Sequence, residues 1–141
     1  TFDQAEVWRE LSIGNFGLKL VGQLDRIDKS ADGAAMVLDY KTESAAYTAK
    51  RLKEPLEDTQ LAFYAALVGD ETLEAAYVNV SEKESKSYVQ ADIDHSRSAL
   101  IEGILDDMQN ISAGKPLPAL GEGAACDYCA ARGLCRKDFW V

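Results

Sequence analysis

The stretch from Leu18 to Tyr40 leaves this chain little freedom of fold. Two apolar segments, Leu18 to Ile27 and Ala35 to Tyr40, flank Ser30-Ala31-Asp32-Gly33, and an Asp-Gly step between strand-like segments is a strong hairpin signal. The segments are expected to pair antiparallel. Successive side chains on a strand point to opposite faces, so Leu18, Leu20 and Leu24 share one face, read as core, while Lys19, Val21, Gln23 and Asp25 share the other. In the second segment Val37, Asp39 and Lys41 share a face, so closing the hairpin brings Asp25 toward Asp39 and Lys41. The register stays open at this level.

Two carboxylates held close repel each other unless a proton or a cation sits between them, and a hard divalent ion such as Mg2+ prefers oxygen ligands. Such an ion polarises a phosphoryl oxygen and acidifies a bound water, while a neighbouring lysine orients that water or offsets developing charge. Asp25, Asp39 and Lys41 match this chemistry. The alternative is structural: Asp25 pairs with Arg26 or Arg51, and Asp39 with Lys41 forms a solvated strand edge. Further along, Gln60 and Tyr64 stand four apart, on one face of an expected helix.

Taken together and in order, Gly22-x-x-Asp25-Arg26-Ile27-Asp28, Asp39-Tyr40-Lys41-Thr42 and Gln60-x-x-x-Tyr64 resemble the PD-(D/E)XK nuclease superfamily. The similarity is to the RecB-like and AddB-like nuclease domains of bacterial helicase-nuclease complexes, and it covers most of the chain. It implies an α/β, restriction-endonuclease-like fold with a central mixed sheet flanked by helices. It implies that Asp25 and Asp39 bind Mg2+ or Mn2+ with the carbonyl of Tyr40, that Lys41 is the catalytic lysine, and that Gln60 and Tyr64 contact DNA and support the site. The partners it implies are DNA and a helicase domain or subunit, in double-strand-break repair. Three departures from the pattern stand out. Glu43 replaces the usual glycine after Asp-Tyr-Lys-Thr, as an additional acid near the metal or as an exposed loop residue. No histidine precedes Asp25, where the start holds only a strand-like segment with Glu6 and Trp8. His95, the one histidine, matches no motif and reads as a surface residue at the start of a helix.

All three cysteines lie near the C-terminus, as Cys126-x2-Cys129-x5-Cys135. Three thiolates do not complete the four-ligand set of a structural zinc or a [4Fe-4S] cluster. The resemblance to AddB-type domains implies that these three hold a [4Fe-4S] cluster with a fourth cysteine upstream of the nuclease motifs. With no such cysteine and no upstream histidine here, the chain is expected to be an N-terminally truncated fragment whose full-length parent carries the cluster. The alternative is three reduced thiols, or one pair and a lone thiol.

With 141 residues, 47% of them apolar, one buried core is expected, hence a single domain over 1–141 with residues 122–141 as a cysteine-bearing segment. No apolar stretch approaches the roughly 20 residues of a membrane span, and no signal-peptide pattern opens the chain, so a cytoplasmic location without membrane contact is expected. The net charge of −9 opposes nucleic-acid binding in bulk. Local groups answer it: Lys50, Arg51 and Lys53 precede Gln60, and Arg132, Arg136 and Lys137 surround the last cysteines.

The remaining pattern predicts a helix from Pro55 through Leu56 to Val68 ending at Gly69, with Leu61 and Val68 in the core. It further predicts strands over 74–80 and 86–93 around the turn 81–85, a helix over 96–113 stopped by Gly114-Lys115-Pro116, and a Pro/Gly linker over 116–125. No phosphate-binding G-x-x-x-x-G-K-[ST] loop is present, so ATP hydrolysis is not expected of this domain. Three functions fit: a metal-dependent DNA exonuclease domain, a catalytically silent DNA-binding or structural domain of the same fold, and an iron-sulfur module for partner contact. The ordered motifs favour the first.

Overall fold

The computed structural model describes residues 1–53, 58–69, 74–81, 84–116, 126–127 and 129–135. The start of the helix expected from Pro55, the turn residues Glu82 and Lys83, most of the 116–125 linker, Arg136, Lys137 and the side chain of Arg132 lie outside the described residues. The chain divides into two units, Thr1–Leu105 and Asp106–Val141.

The first unit is a five-stranded mixed sheet with helices, as the α/β reading requires. Its strands are β1 (Phe2–Ile13), β2 (Leu18–Lys29), β3 (Ala35–Lys41), β4 (Glu74–Val80) and β5 (Ser85–Val89), in the spatial order β1-β2-β3-β4-β5. β1, β2 and β3 form an antiparallel meander. β3 and β4 are parallel, joined by a crossover carrying α1 (Ala45–Arg51) and α2 (Gln60–Val68), and β5 returns antiparallel to β4. A parallel pair needs such a long crossover, whereas antiparallel neighbours are closed by short turns.

The β2–β3 hairpin forms at the expected turn. The Ser30 amide donates to Ala34 O at 2.9 Å, the Gly33 amide donates to Ser30 O at 3.1 Å, and Gly33 takes φ 89°, where a side chain would be strained. The strict alternation expected along β2 is not kept. Leu24 and Ile27 are both buried although three residues apart, so the pleat changes phase between them, at Asp25 and Arg26. On β1, Glu6 lies between the partners of Arg26 and Leu24 and has φ 49°, an irregularity at the same level of the sheet.

The core gathers Leu24, Ile27, Val37, Leu61, Ala65, Ala75 and Tyr77, all nearly inaccessible to water. Each fully buried Leu or Val contributes about 1.5–3 kcal/mol through lost apolar surface. Helix α2 is buried over most of its circumference, through Leu61, Ala62, Ala65, Ala66 and Leu67, so small alanines let it lie low on the sheet. Val68 packs against the core only partly buried, and the helix ends at Gly69 in the left-handed conformation (φ 69°), whose amide donates to Ala65 O. Gly22 on β2 completes this approach: a Cβ there would lie 2.9 Å from Leu67 Cδ1 and 3.0 Å from Phe63 Cε1. Gly22→Ala is expected to destabilise the fold by about 1–3 kcal/mol, as overpacked core sites do, read as a lower urea midpoint at constant slope.

Two expected boundaries shift. The last strand stops at Val89, and Ile93 opens α3 (Ile93–Ser112) rather than closing a strand. Asp92, at φ 50°, makes the turn, and buried Gln90 donates from Nε2 to Ser96 Oγ at 3.1 Å, tying strand exit to helix entry. In the first unit Ile101, Ile104 and Leu105 pack against the core. In the second, α3 ends at Ser112 with Gly114 at φ 71°, Ile111 is exposed, and a short helix α4 spans Arg132–Cys135. No helix among the described residues is long and apolar enough to cross a membrane.

Candidate active site

Because β2 and β3 pair with Arg26 opposite Leu38, the next positions in that register are Asp25 and Asp39. The Tyr40 amide donates to Asp25 Oδ2 at 3.0 Å, which ties that carboxylate to the end of β3. Asp39 follows Val37 on the buried face and is itself only 2% exposed, so it does not sit at the open strand edge that a solvated Asp-Lys pair would give. Its Oδ1 accepts from Gln60 Nε2 at 2.9 Å. Its Oδ2 is paired with Lys41 Nζ at 2.7 Å and has no other hydrogen-bond partner. Burial pushes the Asp39 carboxyl above its ordinary pKa; Lys41 pulls it down and the neighbouring charge of Asp25 pushes it further up.

Gln60, first residue of α2, is the hub of the site. Lys41 Nζ donates to Gln60 Oε1 at 2.7 Å, and Gln60 Nε2 donates both to Asp39 Oδ1 and, at 3.1 Å, to Tyr64 Oη one helical turn on. Both amide hydrogens and the amide oxygen are thereby committed, and this network assigns the orientation of the side chain. Lys41 is further held over the Tyr77 ring, with Nζ 5.1 Å from the centroid. The hairpin and the first turn of α2 therefore bring Asp25, Asp39, Tyr40, Lys41, Gln60 and Tyr64 together at the C-terminal end of β3.

A second polar layer lies behind this one. Arg51 at the end of α1 donates from Nε and Nη2 to Glu43 Oε1 and Oε2, at 2.7 and 2.8 Å, and from Nη1 to Asp58 Oδ2 at 2.6 Å. Asp58 Oδ1 accepts from Tyr77 Oη at 2.6 Å. Buried Asn79 on β4 donates from Nδ2 to Glu43 O at 2.7 Å and to Thr48 Oγ1 at 2.9 Å. Arg51 thus clamps the loop after Lys41 to the residues ahead of Gln60, and its guanidinium lies 5.9 Å from the centroid of the Tyr77 ring that supports Lys41.

This settles the open roles of several residues. Glu43 is half-buried rather than exposed, and it is the bidentate partner of Arg51. Arg26 pairs with Asp28, at 2.6 and 2.8 Å, two residues on along the same strand face, and reaches Tyr40 Oη at 3.2 Å. Neither arginine compensates Asp25. His95 is exposed on the first turn of α3, as expected. The sequence reading missed α1, Thr48, Asp58, Tyr77 and Asn79. Ser44 was a legible N-cap ahead of Ala45, and it does accept from the Tyr47 amide at 3.3 Å; nothing in the sequence marked the pairing of Arg51 across the crossover.

The acid response of this second layer has a defined sign. Hydrogen bonding to Arg51 holds the Glu43 carboxyl below its ordinary pKa. Burial raises Asp58, but the bonds donated by Tyr77 and Arg51 outweigh it and leave Asp58 lowered as well. Groups lowered on folding contribute stability above their unfolded pKa of about 4, lost as the pH falls through the folded values. Urea midpoints of the wild type are expected to fall on acidification below about pH 4, and Arg51→Met is expected to flatten that fall.

The residues at the end of β3 fit a hard divalent cation. Asp39 Oδ2 is buried with only the Lys41 ammonium against it, Asp25 keeps an oxygen beyond its bond to the Tyr40 amide, and two carboxylates completed by water are the donor set that Mg2+ accepts. Among the described residues no group of three or more His, Cys, Asp or Glu side chains is arranged to hold an ion. Cys126 is half-buried, Cys129 and Cys135 are exposed, and the Cys129 amide donates to Cys126 O at 3.4 Å. Gln60 and Tyr64 also line a cleft of about 980 Å³, together with Gln23, Tyr47, Lys50 and Lys53; neither carboxylate lines it.

Comparison with known proteins identifies the family and the fold. The family model for the PD-(D/E)XK nuclease superfamily matches residues 2–136. Among solved structures the chain is similar to the crystal structure of SSO0001, with a TM-score of 0.53 at 20% identity, over 94% of this chain and 59% of that one. At that identity the likeness is one of fold, and the chain spans somewhat over half the length of that protein. No curated protein matches the sequence.

Proposed function

The chain belongs to the PD-(D/E)XK nuclease superfamily, and from that premise we propose that it hydrolyses phosphodiester bonds of DNA with Mg2+ or Mn2+ held by Asp25 and Asp39. The observation that carries the proposal is the buried Asp39 carboxylate, whose Oδ2 has only the Lys41 ammonium against it and which stands in register with Asp25. A divalent cation there would polarise a phosphoryl oxygen and lower the pKa of a bound water. The Tyr40 carbonyl is the third protein oxygen of this proposed set.

Lys41 stands within hydrogen-bond reach of the space over Asp39, held by Gln60 Oε1 and the Tyr77 ring. In that position its ammonium orients the attacking water and offsets charge developing on the phosphoryl oxygens. Gln60 fixes both Asp39 and Lys41, so it sets their separation, and Tyr64 fixes Gln60. A carboxylate held this way costs no reorganisation when the reaction begins.

The RecB-like and AddB-like resemblance of the motifs supports an exonuclease domain that receives DNA ends from a cytoplasmic helicase partner in break repair. It also supports a [4Fe-4S] cluster on Cys126, Cys129 and Cys135 with a fourth ligand from outside these three. End-labelled linear DNA incubated with the protein tests the activity: degradation in Mg2+ or Mn2+ that stops with chelator is expected. Intact label under all these conditions would sink the proposal.

A further inference from the structure

We propose that Tyr77 is the residue that positions Lys41: its hydroxyl, anchored on Asp58, fixes the ring against which the Lys41 ammonium rests, and so sets where that ammonium stands beside Asp39. The expected effect on cleavage rests on the nuclease reading, while the placement of Lys41 is open to measurement without it.

The sheet puts Tyr77 there. β3 and β4 run parallel with Tyr77 opposite Asp39 and Asn79 opposite Lys41, so the phenol shares a sheet face with both site residues. At 1% exposure Tyr77 touches no substrate. A buried phenol needs a partner for its hydroxyl, and Tyr77 Oη donates to Asp58 Oδ1 at 2.6 Å. Burial and the Asp58 carboxylate hold this phenol above its ordinary pKa, so it stays a donor. For a tyrosine that serves the core alone, that one bond would complete the account. The Tyr77 ring instead meets two cations, with Lys41 Nζ 5.1 Å and Arg51 Cζ 5.9 Å from its centroid.

Asp58 joins this ring to another support of Lys41. The Lys41 ammonium is held by Asp39 Oδ2 and Gln60 Oε1, each at 2.7 Å, and by the Tyr77 ring. The Asp58 Oδ1 that accepts from Tyr77 also accepts from the Gln60 backbone amide at 3.4 Å, whereas the N-cap residue Thr59 makes no side-chain bond to the helix. Asp58 therefore takes the capping role at the first turn of α2, and Arg51 secures its other oxygen. One carboxylate thus fixes both the ring and the helix end that carries Gln60. Loss of the Tyr77 hydroxyl frees the ring and strips Asp58 Oδ1 of its shorter hydrogen bond. A shift of about 1 Å in a group placed this way costs up to about 10²-fold in rate.

The test follows cleavage and Lys41 separately in wild type, Tyr77→Phe, Asp58→Ala and the double variant. Tyr77→Phe is expected to lower kcat about tenfold and to leave KM for DNA within about twofold, because the lost hydroxyl acts on Lys41 and not on bound DNA. The double variant is expected to lose no more kcat than Asp58→Ala alone, since both substitutions break the same hydrogen bond. In carbon-correlated proton NMR spectra the Lys41 ε-methylene signal, assigned with Lys41→Arg, is expected upfield of the other lysines in the wild type, where the ring lies against the end of this side chain. It is expected to move toward them in Tyr77→Phe and in Asp58→Ala. A tyrosine that serves only the core would lower the urea midpoint of Tyr77→Phe and leave kcat and the Lys41 signal in place. That result, or a loss of kcat with an unmoved Lys41 signal, would overturn the proposal while the nuclease reading stands. A wild type that does not cleave, with a Lys41 signal that moves in Tyr77→Phe, would lose the nuclease reading and keep Tyr77 as the residue that places Lys41.

Discussion

Asp39→Asn is expected to lower DNA cleavage by about 10³-fold or more while leaving the melting temperature unchanged or higher. The two halves of this result come from the same feature. Asp39 is buried, and burial raises its carboxyl pKa, so ionised Asp39 opposes folding. A group raised on folding adds stability below its unfolded pKa of about 4 and loses it as the pH rises through the folded value, so at neutral pH the charge is a cost. An amide at the same position keeps an acceptor for Gln60 Nε2 and sheds the desolvation cost. It also loses the anionic oxygen proposed as the metal ligand. A variant both inactive and markedly less stable would show instead that Asp39 serves the fold.

Lys41→Met is expected to slow cleavage by about 10²–10³-fold and, unlike Asp39→Asn, to destabilise the protein by about 1–3 kcal/mol. Lys41 Nζ is the cation nearest Asp39, at 2.7 Å, and its side chain is 16% exposed against 3% for Asp39. Removing it leaves a buried carboxylate uncompensated and the Gln60 amide oxygen without its donor. The methionine stem still covers the Tyr77 ring, so the loss is electrostatic rather than a cavity. The pair should therefore be non-additive. Asp39→Asn placed on Lys41→Met is expected to recover most of the lost stability and none of the activity, measured by urea denaturation and cleavage of labelled DNA. Additive stability effects would mean that the two side chains do not depend on each other.

The hairpin was legible because its signals are local. Asp32-Gly33 fixes the turn, and the register follows from pairing Arg26 with Leu38, which aligns the two acids. The spacing of Gln60 and Tyr64 was legible for the same reason, since one helical turn sets it and the Gln60–Tyr64 hydrogen bond realises it. Strand parity misled at Asp25, because the phase of the pleat changes between Leu24 and Ile27 and a period-2 rule assumes that it does not. The burial of Asp39 was hidden as well. It follows from the close approach of α2, permitted by Gly22 and by the alanines of that helix, which is a tertiary outcome. The Arg51 clamp joins Glu43, Asp58 and, through Asp58, Tyr77 across the crossover, and no spacing in the sequence marks that contact.

The central claim is that Asp25 and Asp39 form one divalent-cation site. The most direct measurement is calorimetric titration of Mn2+ into the wild type, Asp25→Asn and Asp39→Asn. The account predicts a saturable site in the wild type that is lost in both variants, with Mg2+ competing for it. Binding that survives either substitution unchanged would contradict it.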